Sequence, residues 1–531
     1  MKKLFIVIIF LLFSGTWAQA EPIAHKDSPS AYMARLKEAN YLLETWQVEP
    51  GFKALLDLSK ERQDESVTLF LLGKAYFLKG DYDGAVEILD KARAVPILGA
   101  EWESFAEFVK QTRDAAKGFT EFTSEHFRLR VKPGVDEVLV PYALDTLEKA
   151  YREIGADFDF FPEEKVLFEI YPDFESFNIA SSLSKRDMEV SGAIGIAKFN
   201  RIMIVSPKVA AHGYRYLDTL THEYVHYVIY RVTKSEATIW LQEGTAKYEE
   251  TRWRNKKGGY LQPASTSLLA VAVNLGKKIS FAQMEPSLVK LPSTQDVQQA
   301  FAQATMAIDY LIQTGGQEKF RKFFWELGQG STIPEAIEKI VGFTFQTFEE
   351  KYWNYIKEKN FQIIPGLMAE GFEFKEGAGG EEDREKLLKK IESTEGQRLA
   401  LLGDLLFDEK RYAAAGLEYS KALELAANSA LIETRLAKTL TYVGDLERAE
   451  KLYLQVIAIH PSHTAAFDNL AELNLVKKNL QAAREMLETS NAINPFNPRT
   501  HELLALIYTQ AGLEEQAALE LKSLKILQRE K

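Results

Sequence analysis

Four copies of a leucine followed by a small residue stand 34 residues apart near the C-terminus: Leu402-Gly403, Leu436-Ala437, Leu470-Ala471 and Leu504-Ala505. Ala415, Ala449, Ala483 and Ala517 keep the same spacing, and Tyr419, Tyr453, Leu487 and Leu521 fill a further column. Gly444 and Gly512 share a turn position with Lys410 and Lys478, and Pro461 and Pro495 close two copies. A fixed period of this length constrains the fold more than any local propensity does. Each copy buries its apolar face against the next, so the copies stack into one continuous core. The stack is expected to fold over 395–531. Leu69, Leu72-Gly73, Tyr76, Gly80-Asp81-Tyr82, Ala85 and Ala92 fit the same template near the N-terminus, so 31–118 reads as helical with one clear copy.

Between the repeats the periodicity changes. His126–Val131 alternates as a strand, Tyr142–Ile154 is an amphipathic helix, and Val166–Tyr171 is a strand ended by Pro172. Ala193–Phe199 and Ile202–Val205 read as two strands joined tightly at Asn200-Arg201. After Glu250 the pattern is helical to about Lys359, clearest over Ala302–Thr314 and Gln317–Leu327. Gly371–Glu382 is acidic and Gly-rich and reads as part of a linker over 362–394.

The chemistry sits in this middle region, 119–361. His222-Glu223-Tyr224-Val225-His226 lies inside an apolar helical run, Tyr216–Val232. Positions i and i+4 share a helix face, so both imidazoles can reach one metal ion, with Glu223 beside them to take a proton from water. Catalytic zinc usually takes three protein ligands. Glu243, in Ile239-Trp240-Leu241-Gln242-Glu243-Gly244-Thr245-Ala246-Lys247-Tyr248, is the expected third, 17 residues after His226. A third His ten residues after His222 is excluded, because Val232 stands there, and Ile229 replaces the glycine of that pattern. Glu236, Glu249 and Glu250 compete by charge alone. Asp218, one turn before His222, is either a hydrogen-bond acceptor for an imidazole N–H or a solvated carboxylate. Thr221 reads as a packing residue.

The pairing of Thr221–His226 with Trp240–Tyr248 resembles the peptidase-MA-like metallohydrolases of the gluzincin group, relatives of thermolysin. The resemblance covers roughly Phe119 to Lys359. It implies an α+β, zincin-like domain with a small twisted sheet, and Zn²⁺ held by His222, His226 and Glu243. It implies Glu223 as the catalytic base of peptide-bond hydrolysis. It also likens Ser191–Gly195 to the edge strand beside a zincin cleft, where an extended peptide adds as a further strand; an ordinary edge hairpin is the alternative. The chain departs from the pattern at Lys247, where an acidic residue is common, and at Phe301, where a Tyr often stabilises the oxyanion. Tyr224, Tyr248 and Tyr260 are the substitutes, unranked by sequence, with packing the alternative role for each. The periodic segments resemble tetratricopeptide repeats, 34-residue helical hairpins, which implies an α-solenoid that binds a protein partner.

At the N-terminus Lys2 and Lys3 precede the apolar run Leu4–Phe13 and Ala18-Gln19-Ala20. This predicts a signal peptide over 1–20 and a periplasmic or secreted chain, an uncleaved anchor being the alternative. The formal net charge of −11 argues against nucleic acid or an anionic membrane as partner, and the lack of cysteine excludes disulfides and thiolate metal sites. No later stretch approaches the apolar length of a transmembrane helix. The function expected is an exported zinc metallopeptidase acting on a protein or peptide. The alternatives are an inactive zincin-like scaffold for protein–protein contacts, or a metallohydrolase of a non-peptide bond.

Overall fold

The structure, a computed structural model, describes residues 29–93, 99–183, 194–234, 237–254, 261–365, 367, 388–389, 391 and 393–529, and elements are counted among these. The signal segment, Ser191–Ala193, Glu236, Tyr260 and the Gly371–Glu382 linker lie outside them.

Five helices open the chain: α1 (Pro29–Glu44), α2 (Val48–Glu61), α3 (Ser66–Leu78), α4 (Tyr82–Arg93) and α5 (Ala100–Ala115). Helices α3 and α4 form the clear N-terminal repeat. Gly73 is needed at their crossing, since a Cβ there would stand 2.6 Å from Leu89 Cγ. The middle region adds β1 (Thr120–Thr123), β2 (Phe127–Val131), α6 (Val140–Phe158), β3 (Val166–Tyr171), α7 (Phe174–Ser181), β4 (Gly195–Lys198) and β5 (Arg201–Val205). The strands form one sheet in the order β1-β2-β3-β5-β4. Its centre is parallel, β2 to β3 to β5, and both edge strands are antiparallel to their neighbours. The β4–β5 turn lies one residue earlier than expected: Phe199 and Asn200 both take positive φ, 58° and 57°, as a two-residue hairpin requires. Strand β1 is not legible in the sequence because its burial does not alternate.

Four helices follow that shape the site: α8 (Tyr216–Thr233), α9 (Ile239–Glu249), α10 (Pro263–Leu275) and α11 (Thr294–Gly328). Helix α11 breaks at Gly316, whose φ of 71° is not helical, so the two expected stretches flank a kink. Helices α12 (Ile333–Val341) and α13 (Phe345–Glu358) close the region. The main core joins the inner face of β2, β3 and β5 to α6, α8, α9 and α11.

The C-terminal array is four helical hairpins: α14 (Thr394–Asp408) with α15 (Tyr412–Leu425), α16 (Ala430–Val443) with α17 (Leu446–Ile459), α18 (Thr464–Val476) with α19 (Leu480–Asn491), and α20 (Pro498–Gln510) with α21 (Glu514–Gln528). The alanine column is buried throughout. All four turn positions, Lys410, Gly444, Lys478 and Gly512, have positive φ between 60° and 87°. The periodicity therefore marks a backbone requirement that two lysines meet at some steric cost.

Both repeat segments are docked on the middle region. Trp46 stacks on Tyr230 with centroids 3.8 Å apart, and the Tyr230 hydroxyl donates to the Glu44 carbonyl at 2.7 Å. On the other side the Tyr214 N–H donates to the Ile493 carbonyl at 3.1 Å, and Tyr142 donates to Glu520 at 2.9 Å. Glu520 also meets His501 Nδ1 at 2.5 Å.

Glu169, on β3, is fully buried and ties the N-terminal repeat to the sheet. It accepts from the hydroxyls of Tyr82 (2.6 Å) and Tyr171 (2.8 Å) and pairs with Arg201 (3.3 Å), itself fully buried. Removing one partner of a buried pair leaves an uncompensated charge, at a cost of about 3–5 kcal/mol. Glu169→Gln is therefore expected to lose stability of that order in the denaturant transition of the sheet. A loss below about 1 kcal/mol would mean that Arg201 is compensated elsewhere.

Candidate metal centre

Helix α8 carries His222 and His226 one turn apart on the face turned toward α9, and α9 brings Glu243 against them. The three ligand atoms converge. His222 Nε2 and His226 Nε2 are 3.2 Å apart, and Glu243 Oε2 is 3.5 Å and 3.6 Å from them. A tetrahedral shell with bonds of about 2.0–2.1 Å separates its ligands by about 3.3 Å, so this donor set fits zinc in size and in type.

The surrounding charge fits a cation as well. Burial alone would lower the His222 pKa, but the carboxylates of Glu243 and Glu250 outweigh it and carry it to about 10. Glu243 is held well below the usual carboxylate range: burial opposes this, and the two imidazoles overcome it. The pocket therefore favours positive charge between these groups.

Glu223 lies between this cluster and the sheet edge, beside Gly195 and Ala197. Burial raises its pKa, countered in part by His226, His222 and the Ala197 backbone N–H, to which it is hydrogen-bonded. Gly195, the first residue of β4, leaves the space it occupies: a Cβ there would stand 2.8 Å from Glu223 Cγ. Edge strand β4 thus runs alongside the carboxylate.

Two expectations for the outer residues need correction. Asp218 neither accepts from an imidazole nor is solvated. It is buried and binds Trp253 Nε1 (2.8 Å), Arg254 (2.7 Å) and Arg215 (3.3 Å). The acceptor for His222 Nδ1 is Glu250, at 3.2 Å, whose other oxygen takes Lys247 at 2.6 Å. Glu250 stands seven residues, two turns, after Glu243 and so returns to the same face of the segment. Charge alone makes it a rival ligand; the structure places it behind the ring, and the Lys247 departure has a structural role in holding it. Glu249, a second rival, pairs with Arg252 at 3.2 Å.

Of the tyrosine substitutes, Tyr224 and Tyr248 do not reach the centre, and Tyr260 lies outside the described residues. Tyr224 is fully buried against Phe127, 5.4 Å between centroids. Tyr248 lies five residues past Glu243, about 140° round the helix, among Glu249, Asp309 and Asp157. Phe301 packs on the main core. Thr221 is buried and, among the described residues, its side chain bonds within its own helix, to the Leu217 carbonyl at 3.2 Å, consistent with packing.

Comparison with known proteins agrees with the two kinds of segment. Residues 164–358 match the Peptidase MA superfamily, and 67–92 and 440–507 match tetratricopeptide repeats. The comparison with curated proteins finds no match. Among solved structures, a crystal structure of MamA is similar at 20% identity over 28% of this chain and 85% of that one, with a TM-score of 0.25. A thermophilic TPR protein of Thermus thermophilus, TTC0263, is 23% identical over 25% of this chain and 74% of its own, with a TM-score of 0.23. The first TPR of Spaghetti (RPAP3), solved with an HSP90 peptide, is 19% identical over 23% and 97%, with a TM-score of 0.22.

Ligand replacement tests the geometry. His222→Ala, His226→Ala or Glu243→Gln should lower zinc affinity steeply, since two remaining protein ligands hold zinc poorly. Glu250→Ala should weaken it by about 10–100-fold through loss of the imidazole's acceptor. Competition against a chelating dye measures each; unchanged affinity in Glu250→Ala would remove Glu250 from the site. Residues 164–358 thus carry a Peptidase MA superfamily domain, in a chain that also carries tetratricopeptide repeats on either side.

Proposed function

We propose that this chain is a zinc-dependent peptidase of the gluzincin type, exported from the cytoplasm, whose repeats bind a protein partner or substrate. The convergence of two imidazole nitrogens and one carboxylate oxygen within 3.2–3.6 Å, with a buried carboxylate next to them, carries the reading. Bound zinc would lower the pKa of a water molecule and polarise a carbonyl.

The chain's own groups supply the remaining steps. His222, His226 and Glu243 hold the ion, and Glu250 fixes the His222 ring by its Nδ1 atom. Glu223, with its pKa raised by burial, takes the proton from the attacking water and delivers it to the leaving amine nitrogen. Strand β4 is an antiparallel edge of the sheet, and an extended peptide adds there through main-chain hydrogen bonds. That edge favours a peptide over other hydrolysable substrates. Export rests on Lys2, Lys3, Leu4–Phe13 and the Ala18-Gln19-Ala20 site. Among the described residues no helix is long and apolar enough to cross a membrane.

A scaffold reading draws on one observation, the packing of Phe301 where a hydroxyl donor would serve the oxyanion. Glu223→Gln separates the two. A peptidase should keep its zinc and lose hydrolysis of an unstructured peptide by about 10²–10⁴-fold, the usual contribution of a general base. Gly195→Ala should also lower turnover with zinc retained, because the new methyl displaces Glu223. A wild-type chain that binds zinc but cleaves no more than Glu223→Gln would favour the scaffold.

A further inference from the structure

Between the middle region and the C-terminal repeats lies a cavity of about 650 Å³, separate from the metal ligands. Helix α6 contributes Lys149, Arg152 and Glu153; the segment after α9 contributes Trp253 and Arg254; Arg215 precedes α8; and α19 supplies Glu488. Four cations therefore face two carboxylates, in a chain whose net charge is −11.

Both carboxylates are already engaged. Glu153 pairs with Arg252 at 3.4 Å, and Glu488 accepts from the Tyr508 hydroxyl at 2.8 Å and meets Arg484 at 3.5 Å. The cations are less well matched. Arg215 and Arg254 share one buried carboxylate, Asp218. Lys149 has only the exposed Asp145, at 2.6 Å, and Arg152 is exposed with no carboxylate partner among the described residues.

The cavity is also a joint. Arg215 Nη2 donates to the Pro461 carbonyl at 2.8 Å, so one of its cations already bridges the repeats and the N-terminus of α8. Its volume is within the usual range of about 300–1,000 Å³ for ligand sites and far exceeds a single phosphate ion.

We propose that this cleft binds an extended polyanion bearing several carboxylates or phosphates, held by Lys149, Arg152, Arg215 and Arg254. Bidentate guanidinium contacts suit both oxyanions. Because Asp218 lies one turn before His222, the ligand would fasten the repeats to the start of the metal-binding helix. The inference does not depend on the peptidase reading.

Isothermal titration calorimetry of the full chain tests it, using metal-free protein so that chelation of zinc plays no part. Tripolyphosphate is titrated in one arm and tricarballylate in the other, which distinguishes phosphate from carboxylate. One-to-one binding is expected in at least one arm. Lys149→Gln with Arg152→Gln should weaken it by about tenfold or more, the loss expected for charge-assisted contacts. Thr489→Trp, which fills the cleft without changing charge, should also weaken it, with circular dichroism showing each variant folded. Arg398→Gln with Lys421→Gln removes equal charge from exposed sites on the repeats and should leave affinity within about twofold. The proposal is overturned if neither probe binds at millimolar concentration, if the cleft variants bind like wild type, or if both charge-loss pairs weaken binding equally.

Discussion

The approach of α9 to α11 governs the candidate metal centre. Gly244 follows Glu243 directly, and a Cβ on it would stand 2.5 Å from the Ala304 carbonyl. Only glycine lets the two helices meet this closely, and that contact fixes where Glu243 points. The other end of α11 does the same for α8: Gly328 lies against the Val232 carbonyl with no room for a side chain. The two halves of α11, on either side of the Gly316 kink, therefore register α9 and α8 in turn. The 3.2–3.6 Å triangle of ligand atoms follows from backbone packing as much as from the side chains themselves.

The cost of gathering charge in this space is met by layered pairing. Glu243 faces two imidazoles, Glu250 backs one of them, and Lys247 backs Glu250. Buried ionisable groups persist when each has a partner. A further layer runs through Asp218 to Trp253, Arg254 and Arg215, and from Arg215 to Pro461 in the repeats. The C-terminal array is thereby connected to the start of α8 through polar contacts and a main-chain hydrogen bond at Tyr214. The repeats and the candidate metal centre are thus connected through these contacts.

Local features are legible in the sequence and distant pairings are not. The His222–His226 pair needs only helical periodicity, and the 34-residue spacing identifies the hairpins down to the positive-φ turn at Lys410 and Lys478. Glu243 stands out as a carboxylate in an apolar run. Asp218 defies a sequence reading because two of its three partners, Trp253 and Arg254, arrive from 35 and 36 residues away, on a segment whose role depends on tertiary packing. Glu250 is ambiguous for a related reason: charge suggests a ligand, and only the crossing of α8 and α9 shows it behind the ring. The docking of the repeats is invisible, since Tyr142 and Glu520 are 378 residues apart.

We propose that His222, His226 and Glu243, and not Glu223, bind zinc. X-ray absorption at the zinc edge of the reconstituted full chain tests it most directly. The expected spectrum shows two imidazoles and oxygen ligands at about 2.0–2.1 Å, is unchanged in Glu223→Gln, and loses the outer-ring imidazole scattering of one histidine in His226→Ala. A first shell with a single imidazole, or one altered by Glu223→Gln and indifferent to Glu243→Gln, would contradict it.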